Sequence, residues 1–438
     1  MPNGGAERPW EERASQWLVM LFPIALLTSL AASEILSVLS LLLAGYAAAQ
    51  SHSRPSLLYF RPVDWYPVAA AGVFSFFCLL PLTAEGPLSA AFLDELRSLR
   101  WMLFWVALLL VFRCAGSASH GAMLNVLCIS IGVLSIYGIV QFWFGIDFSG
   151  REGGLHLSGE RFRASGTFSL PQSYSGVVGI LTFSLLPLGI SYLVSGRSSG
   201  YLWSMLTPAA VALGVVGVVC SGTRGAYFGM MCTFVIALFM LVLNHELSRR
   251  AAFWLLCISV GVATLFLSQL DAGFVEKMMF NSEEPDQSLM IRLPLWEAYI
   301  EMIGDRPWFG YGAGISPSYL PAYYELIGAS EAEFIGHTHN NYLQAWVDGG
   351  LGGFIAYFIL IFSMLWISYQ RIAKAVNREY MLFFIGLFLA QVYFHVFGLT
   401  ESNFIDIKVN HALIYIWALV LAGDVWVSSD PQSSARGS

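Results

Sequence analysis

The chain has 438 residues, of which 57% are apolar and only 12% charged, well below the roughly 25% charged residues of a soluble domain. That composition excludes an ordinary soluble enzyme and leaves a membrane protein. A net charge of −7, with no basic patch, no nucleotide-binding glycine loop and no repeat of fixed period, speaks against nucleic-acid binding and ATP coupling.

Apolar runs near the roughly 20 residues a helix needs to cross the hydrocarbon core recur along the whole chain. Twelve are counted, centred near Ala25, Leu42, Val73, Ala107, Gly132, Leu181, Ala210, Ile236, Gly261, Tyr357, Leu387 and Trp417. The stretch "SLAAS" resembles a signal-peptide cleavage site. The second run follows it directly and the leader mixes acids with bases, so a retained anchor is expected. The fold expected is all-α and polytopic. Residues 1–270 carry spans one to nine, 271–340 form a large outer loop containing helices and site residues, and 341–438 hold spans ten to twelve and a cytoplasmic tail.

The distribution of basic residues orients the spans. With both termini cytoplasmic, the inner segments hold 12 of the 22 Lys and Arg residues and carry a net +4, leaving −11 outside. The six cysteines, Cys78, Cys114, Cys128, Cys220, Cys232 and Cys257, lie in or beside spans, so no disulfide framework is expected.

Arg97, Arg100, Arg151, Arg161, Arg163, Arg224, Arg292 and Arg306 run against that bias by falling outside. Alone, Arg97, Arg100, Arg151 and Arg306 read as solvated loop charges or interfacial anchors. Arg224 differs because "CSGTRGAYFG" (220–229) joins two spans with almost no loop, and its small residues permit a close approach by backbone or ligand. Arg161 and Arg163 belong to "GERFRASGTFSLPQSYSG" (159–176), where Gly and Pro break regular structure. Arg292 precedes a helical apolar stripe of Leu295, Trp296, Tyr299, Ile300 and Ile303, closed by the turn-rich "RPWFGYGAG". Several guanidinium groups facing one outer cavity suit a diphosphate, and a lipid diphosphate lies at this depth.

"GHTHNNYLQAWVDGG" (336–350) sets His337 and His339 before a span. The pair reads as interfacial histidines bonded to backbone, as two ligands of a zinc site needing at least a third from His156, His411 or an outer acid, or as a general base and its helper. Asn340 and Asn341 can orient a ring, hold a sugar or cap the helix. Asp348 and "GGLGG" follow and allow close packing.

Four stretches together, "RASGTFSLPQ" (163–172), "SGTRGA" (221–226), "RLPLWEAYIEMIGDRPWFGYGAG" (292–314) and "HTHNNYLQAWVDGGLGG" (337–353), resemble the bacterial O-antigen ligase and polymerase superfamily of glycosyltransferases. The resemblance implies transfer of a glycan from undecaprenyl diphosphate to an acceptor hydroxyl on the periplasmic face of the inner membrane. For a ligase the acceptor is a sugar of lipid A-core. The implied partners are undecaprenyl-diphosphate-linked O-antigen, lipid A-core and membrane lipids, with no cofactor and no metal.

Carried over by position, the catalytic histidine falls on His339 and the arginines on Arg163, Arg224 and Arg292. His337 is additional, which leaves open which imidazole accepts the proton. "GLTESNF" (398–404) resembles the last outer loop, where Glu401 could orient a histidine or an arginine. The expected set is catalytic His339, Arg224 and Arg292, with Arg161, Arg163, His337, Asn340, Asn341 and Glu401 binding substrate. Direct displacement would invert the anomeric configuration, since no carboxylate pair stands ready for a covalent intermediate. The rivals are a polymerase, a protein O-oligosaccharyltransferase and, outside catalysis, a lipid-glycan transporter, which would favour charges at the membrane midplane.

Overall fold

The structure, a computed structural model, describes residues 10–28, 30–49, 61–85, 92–93, 96, 100–116, 120–148, 155–158, 161–195, 201–267, 287–330 and 336–428. Arg97 and Arg151 lie outside the described residues. The helices are α1 (Trp10–Thr28), α2 (Leu30–Ala49), α3 (Trp65–Leu79), α4 (Arg100–Ala115), α5 (His120–Phe144), α6 (Pro171–Ser195) and α7 (Tyr201–Cys220). They continue as α8 (Arg224–Leu243), α9 (Arg249–Leu267), α10 (Gln287–Asp305), α11 (Ser316–Leu326), α12 (Asn341–Ala373), α13 (Arg378–Phe397) and α14 (Ile407–Ser428). A two-residue hairpin, β1 (Leu157–Ser158) with β2 (Arg161–Phe162), is the sheet of the described residues.

Each of the expected span centres falls inside a helix, α1 to α9 and α12 to α14. Among the described residues, 7 helices are long and apolar enough to cross a membrane, and the shorter Ala31–Tyr46 and Met205–Cys220 are apolar as well. The protein is thus nearly all helical and of membrane type. Apolarity all round a helix implies a central position in a bundle. In α6, 89% of the apolar window is buried, against 33% in α8. Accordingly α6 packs on α7 and α13, α13 on α8, and α4 on α14. All six cysteines are free.

Helix ends gather at two ends of the bundle, as alternating spans require. At one end Arg371, in the last turn of α12, approaches Asp64 at 3.7 Å and Asp424 of α14 at 3.5 Å, and Arg113 of α4 reaches the same Asp424 at 3.5 Å. Arg378, at the start of α13, pairs with Glu246 at 2.6 Å. Every one of these arginines belongs to the set that the charge bias assigns to the inside.

The opposite end carries α10 and α11. Leu295, Ala298, Tyr299 and Met302 of α10 pack with Tyr311, Leu320 and Tyr324 against Val347 of α12. The expected stripe is corrected at one position: Ile300 is 59% exposed, because the buried face turns through Ala298 and Met302 instead. Gly350 breaks α12 with φ +59°, and a Cβ there would collide with the Trp308 backbone. This kink lets the 307–312 turn lie on the helix, with Leu351 N donating to Pro307 O at 2.7 Å and Tyr311 N to Val347 O at 2.9 Å.

A histidine, a glutamate and three arginines at one end of the bundle

The turn 336–340 delivers both histidines, and its shape follows from its polar side chains. Asn340 is the N-cap of α12, its Oδ1 accepting from Tyr342 N at 2.9 Å and Leu343 N at 3.0 Å, while its Nδ2 donates to Leu399 O at 3.0 Å. Thr338 Oγ1 donates to Asn340 O at 2.7 Å, and Asn340 N donates to Ser402 Oγ at 3.1 Å. Trp296 of α10 secures the turn from outside by donating to Thr338 O at 2.8 Å. Within this mesh His339 takes φ +49°, a left-handed conformation that costs a non-glycine residue free energy and marks sites where position matters more than local comfort.

Glu401 joins the pieces. Its Oε2 lies 2.8 Å from His339 Nδ1 and its Oε1 accepts from Arg292 at 2.8 Å. A carboxylate on Nδ1 favours the tautomer with the proton there and leaves Nε2 to accept another. The His337 ring stands 4.2 Å from that of His339. Burial, with His339 adding to it, lowers the His337 pKa to about 4, so this ring is neutral at neutral pH.

The other two arginines meet at the α7–α8 turn, Arg163 reaching it from the segment after β2 and Arg224 opening α8. Arg163 donates through Nε to Ser221 O at 2.9 Å and through a terminal nitrogen to Thr223 Oγ1 at 3.2 Å. Gly222, at φ +64°, leaves room for that side chain, since a Cβ would sit 3.1 Å from Arg163 Nε. The small residues of the 220–229 turn therefore admit a protein arginine. Burial lowers the Arg163 pKa, Tyr227 and Glu401 raise it, and neighbouring Arg224 lowers it. Arg224 opens α8 next to Gly225, which abuts Thr400, the residue before Glu401. Arg163, Arg224, Arg292, His339 and Glu401 thus form one neighbourhood.

Arg161 is engaged differently, its guanidinium covering the Trp143 ring at 4.4 Å. Asn340 commits both ends of its amide to the framework. Asn341 commits one end, Oδ1 accepting from Phe404 N at 3.0 Å, while its buried Nδ2 has no partner. Among the outer bases outside this set, Arg100 pairs with Glu34 at 2.8 Å and Arg306 covers Tyr311 at 4.5 Å.

His337, His339 and Glu401 could also hold a metal ion, with their ligating atoms within 4.8 Å of one another. The fit is poor. Two histidines and a carboxylate match the donor count of a catalytic zinc site, but the carboxylate already carries an ion pair to Arg292, whose charge opposes a dication. His156 and His411, the other histidines weighed as a third ligand, are not in this group.

Beside His337 lies a cavity of about 370 Å³ whose walls include Trp101, Asn341, Asp348, Tyr357, Asn410 and His411. Reading the sequence missed it, as it missed the Thr338–Ser402 mesh and the bonding of Asp348, a buried carboxylate whose oxygens accept from Ser316 at 3.1 Å and Gln344 at 2.8 Å. The available signal was the polar pair Asn410–His411 inside an otherwise apolar run.

Residues 209–358 match the family described as O-antigen ligase, a stretch from within α7 to within α12 that includes Arg224, Arg292 and both histidines. A Haemophilus influenzae protein described only as uncharacterized is 21% identical over 244 residues, covering 52% of this chain and 58% of that protein. The chain thus spans less than two thirds of the length of that relative. Over this segment, which also holds helices that can cross a membrane, the chain is similar to the O-antigen ligase family.

Proposed function

We propose that this protein is an O-antigen ligase, transferring glycan from undecaprenyl diphosphate to a sugar hydroxyl of lipid A-core on the periplasmic face of the inner membrane. The observation that carries the reading is Glu401, which holds His339 and Arg292 at 2.8 Å each. It fixes a proton acceptor and a cation in one constellation. The acceptor hydroxyl attacks the anomeric carbon and gives its proton to His339 Nε2, while the bond from that carbon to the diphosphate oxygen breaks. The electron pair leaves with the diphosphate. Arg163, Arg224 and Arg292 oppose the charge that grows there, and each such preorganised contact is worth about 2.7–4 kcal/mol in the barrier. One displacement inverts the anomeric centre. His337, neutral and beside His339, is suited to holding the acceptor hydroxyl.

The test mixes purified protein, lipid-linked O-antigen and rough lipopolysaccharide without nucleotide and with excess chelator. A larger lipopolysaccharide is expected. Longer lipid-linked glycan with no lipopolysaccharide product would make the protein a polymerase. Activity lost to the chelator and recovered by one metal would turn His337, His339 and Glu401 into ligands.

A further inference from the structure

The cavity beside His337 is built for hydroxyl groups. It lies where α3, α4, α12 and α14 meet, with His337 and Gly336 at one side and Asn410 and His411 at the start of α14 at another. Four of its wall residues hold buried polar atoms without a partner: Asn341 Nδ2, Asn410 Oδ1, His411 Nδ1 and Tyr357 Oη. Asn341, Asn410, His411 and Tyr357 are between 1% and 5% exposed. Leaving one such atom unsatisfied costs about 1–3 kcal/mol, and four around one space mark a site that something polar completes. An amide donor, an amide acceptor, an imidazole nitrogen and a phenol form a mixed set of donors and acceptors, which suits a polyol.

Arg100, paired with Glu34, and Asp348, bonded to Ser316 and Gln344, also reach the wall, and much of the rest is aromatic. Trp101 meets Phe404 with ring centroids at 5.4 Å, Phe404 meets Tyr357 at 5.3 Å, and Phe74 meets Tyr357 at 5.4 Å. Apolar walls with a few placed polar groups are the makeup of a small-ligand site, and about 370 Å³ falls near the low end of the roughly 300–1,000 Å³ range. That is room for a terminal sugar and not for a long chain.

Position selects which sugar. Glu401 joins the two groups, acting on Arg163, pairing with Arg292 and holding His339; His337 lies against His339 and lines the cavity, and none of the three arginines lines it. In-line displacement places nucleophile and leaving group on opposite sides of the anomeric carbon. With the diphosphate at the arginines, the sugar in the cavity is the acceptor.

We infer that the cavity walled by Trp101, Asn341, Tyr357, Asn410 and His411 is the acceptor subsite, binding the terminal sugar of lipid A-core with its reactive hydroxyl toward the histidine pair. This rests on the proposed ligase reading. The step is the transfer already written, with the acceptor now placed.

The experiment measures transfer by the full-length protein with separate titrations of lipid-linked O-antigen and rough lipopolysaccharide. Tyr357→Phe keeps the ring and removes a hydroxyl that has no protein partner, and His411→Phe replaces the imidazole, with its unpartnered Nδ1, by an apolar ring. Each should raise the acceptor KM about 3- to 10-fold, the worth of one hydrogen bond, with the donor KM unchanged. Ala345→Leu, which fills the cavity from α12, should cut transfer on the order of 100-fold, as a misplaced reactant does. Undecaprenyl diphosphate should still raise the melting temperature of the Ala345→Leu protein in detergent. A rise in donor KM alone would make the cavity part of the donor site, and unchanged constants in all three variants would make it a water-filled space. Either result overturns the inference while leaving the ligase reading intact. Absence of transfer by the parent protein would remove both.

Discussion

The two ends of the bundle are made from the same residue types and do different things. At the end holding Arg371, charges close on one another and on backbone. Arg371 donates to Val420 O at 3.0 Å and Leu421 O at 2.9 Å besides facing Asp64 and Asp424. That guanidinium is held by backbone carbonyls and carboxylates of the protein. At the end holding Glu401, the carboxylate is equally committed, yet its partners are not. His339 keeps its Nε2, and a cavity with unpartnered amides opens alongside. An arginine beside a carboxylate therefore says little by itself. A function is indicated where the ion pair leaves a proton acceptor and a space.

The largest effect separating the two ends is expected from His339→Ala. Loss of a positioned general base costs about 100- to 10,000-fold in rate, while the melting temperature in detergent should stay near the parental value. Parental transfer by a well-folded His339→Ala protein would end the general-base assignment and move attention to His337. Arg371→Met inverts the pattern. Breaking a buried pair on one side leaves carboxylates uncompensated and costs about 3–5 kcal/mol of stability, so the melting temperature should fall while kcat per folded molecule holds. A fall in kcat without a fall in melting temperature would mean that the two ends are coupled in function.

Much of this difference was out of reach of the sequence, for identifiable reasons. Helix positions were legible because an apolar run must pair its own backbone in lipid, and each expected centre lies in a helix. Ile300 was misplaced because a spacing argument cannot tell which edge of an apolar stripe faces α12 and which faces out. His339, Arg224, Arg292 and Glu401 stood out as polar groups at the mouths of apolar segments. Their connection did not, since Arg292 and Glu401 lie 109 residues apart in the chain. Arg161 and Arg163 look alike in sequence and diverge in space, one over Trp143 and the other on the Ser221 carbonyl. The cavity has no sequence signature, being a volume enclosed by four helices.

A finer separation concerns Arg224, at the edge of the charged neighbourhood. Arg224→Lys keeps the charge and loses the planar fork that matches phosphate oxygens. The expected cost is about 100-fold in kcat/KM, the lower end of the loss of one preorganised contact, with stability unchanged. A lysine variant at parental kcat/KM would reduce Arg224 to a general positive potential.

The smallest effect decides what Asn340 is for. Sequence alone allowed it to hold a sugar, orient an imidazole or cap a helix, and the structure engages both ends of its amide in caps and turns. If those bonds are its whole role, Asn340→Ala should cost about 0.5–2 kcal/mol of stability, as lost N-caps do, and leave both KM values near parental. Asn340→Ser supplies another capping oxygen and should recover most of the melting temperature. The turn complicates this, because a loosened cap also frees His339, whose left-handed backbone is held by the same mesh. A modest fall in kcat that Asn340→Ser restores fits a cap. A raised acceptor KM that Asn340→Ser does not restore, in a protein of parental stability, would return Asn340 to the sugar-binding set and would mean that the amide leaves Leu399 when substrate arrives.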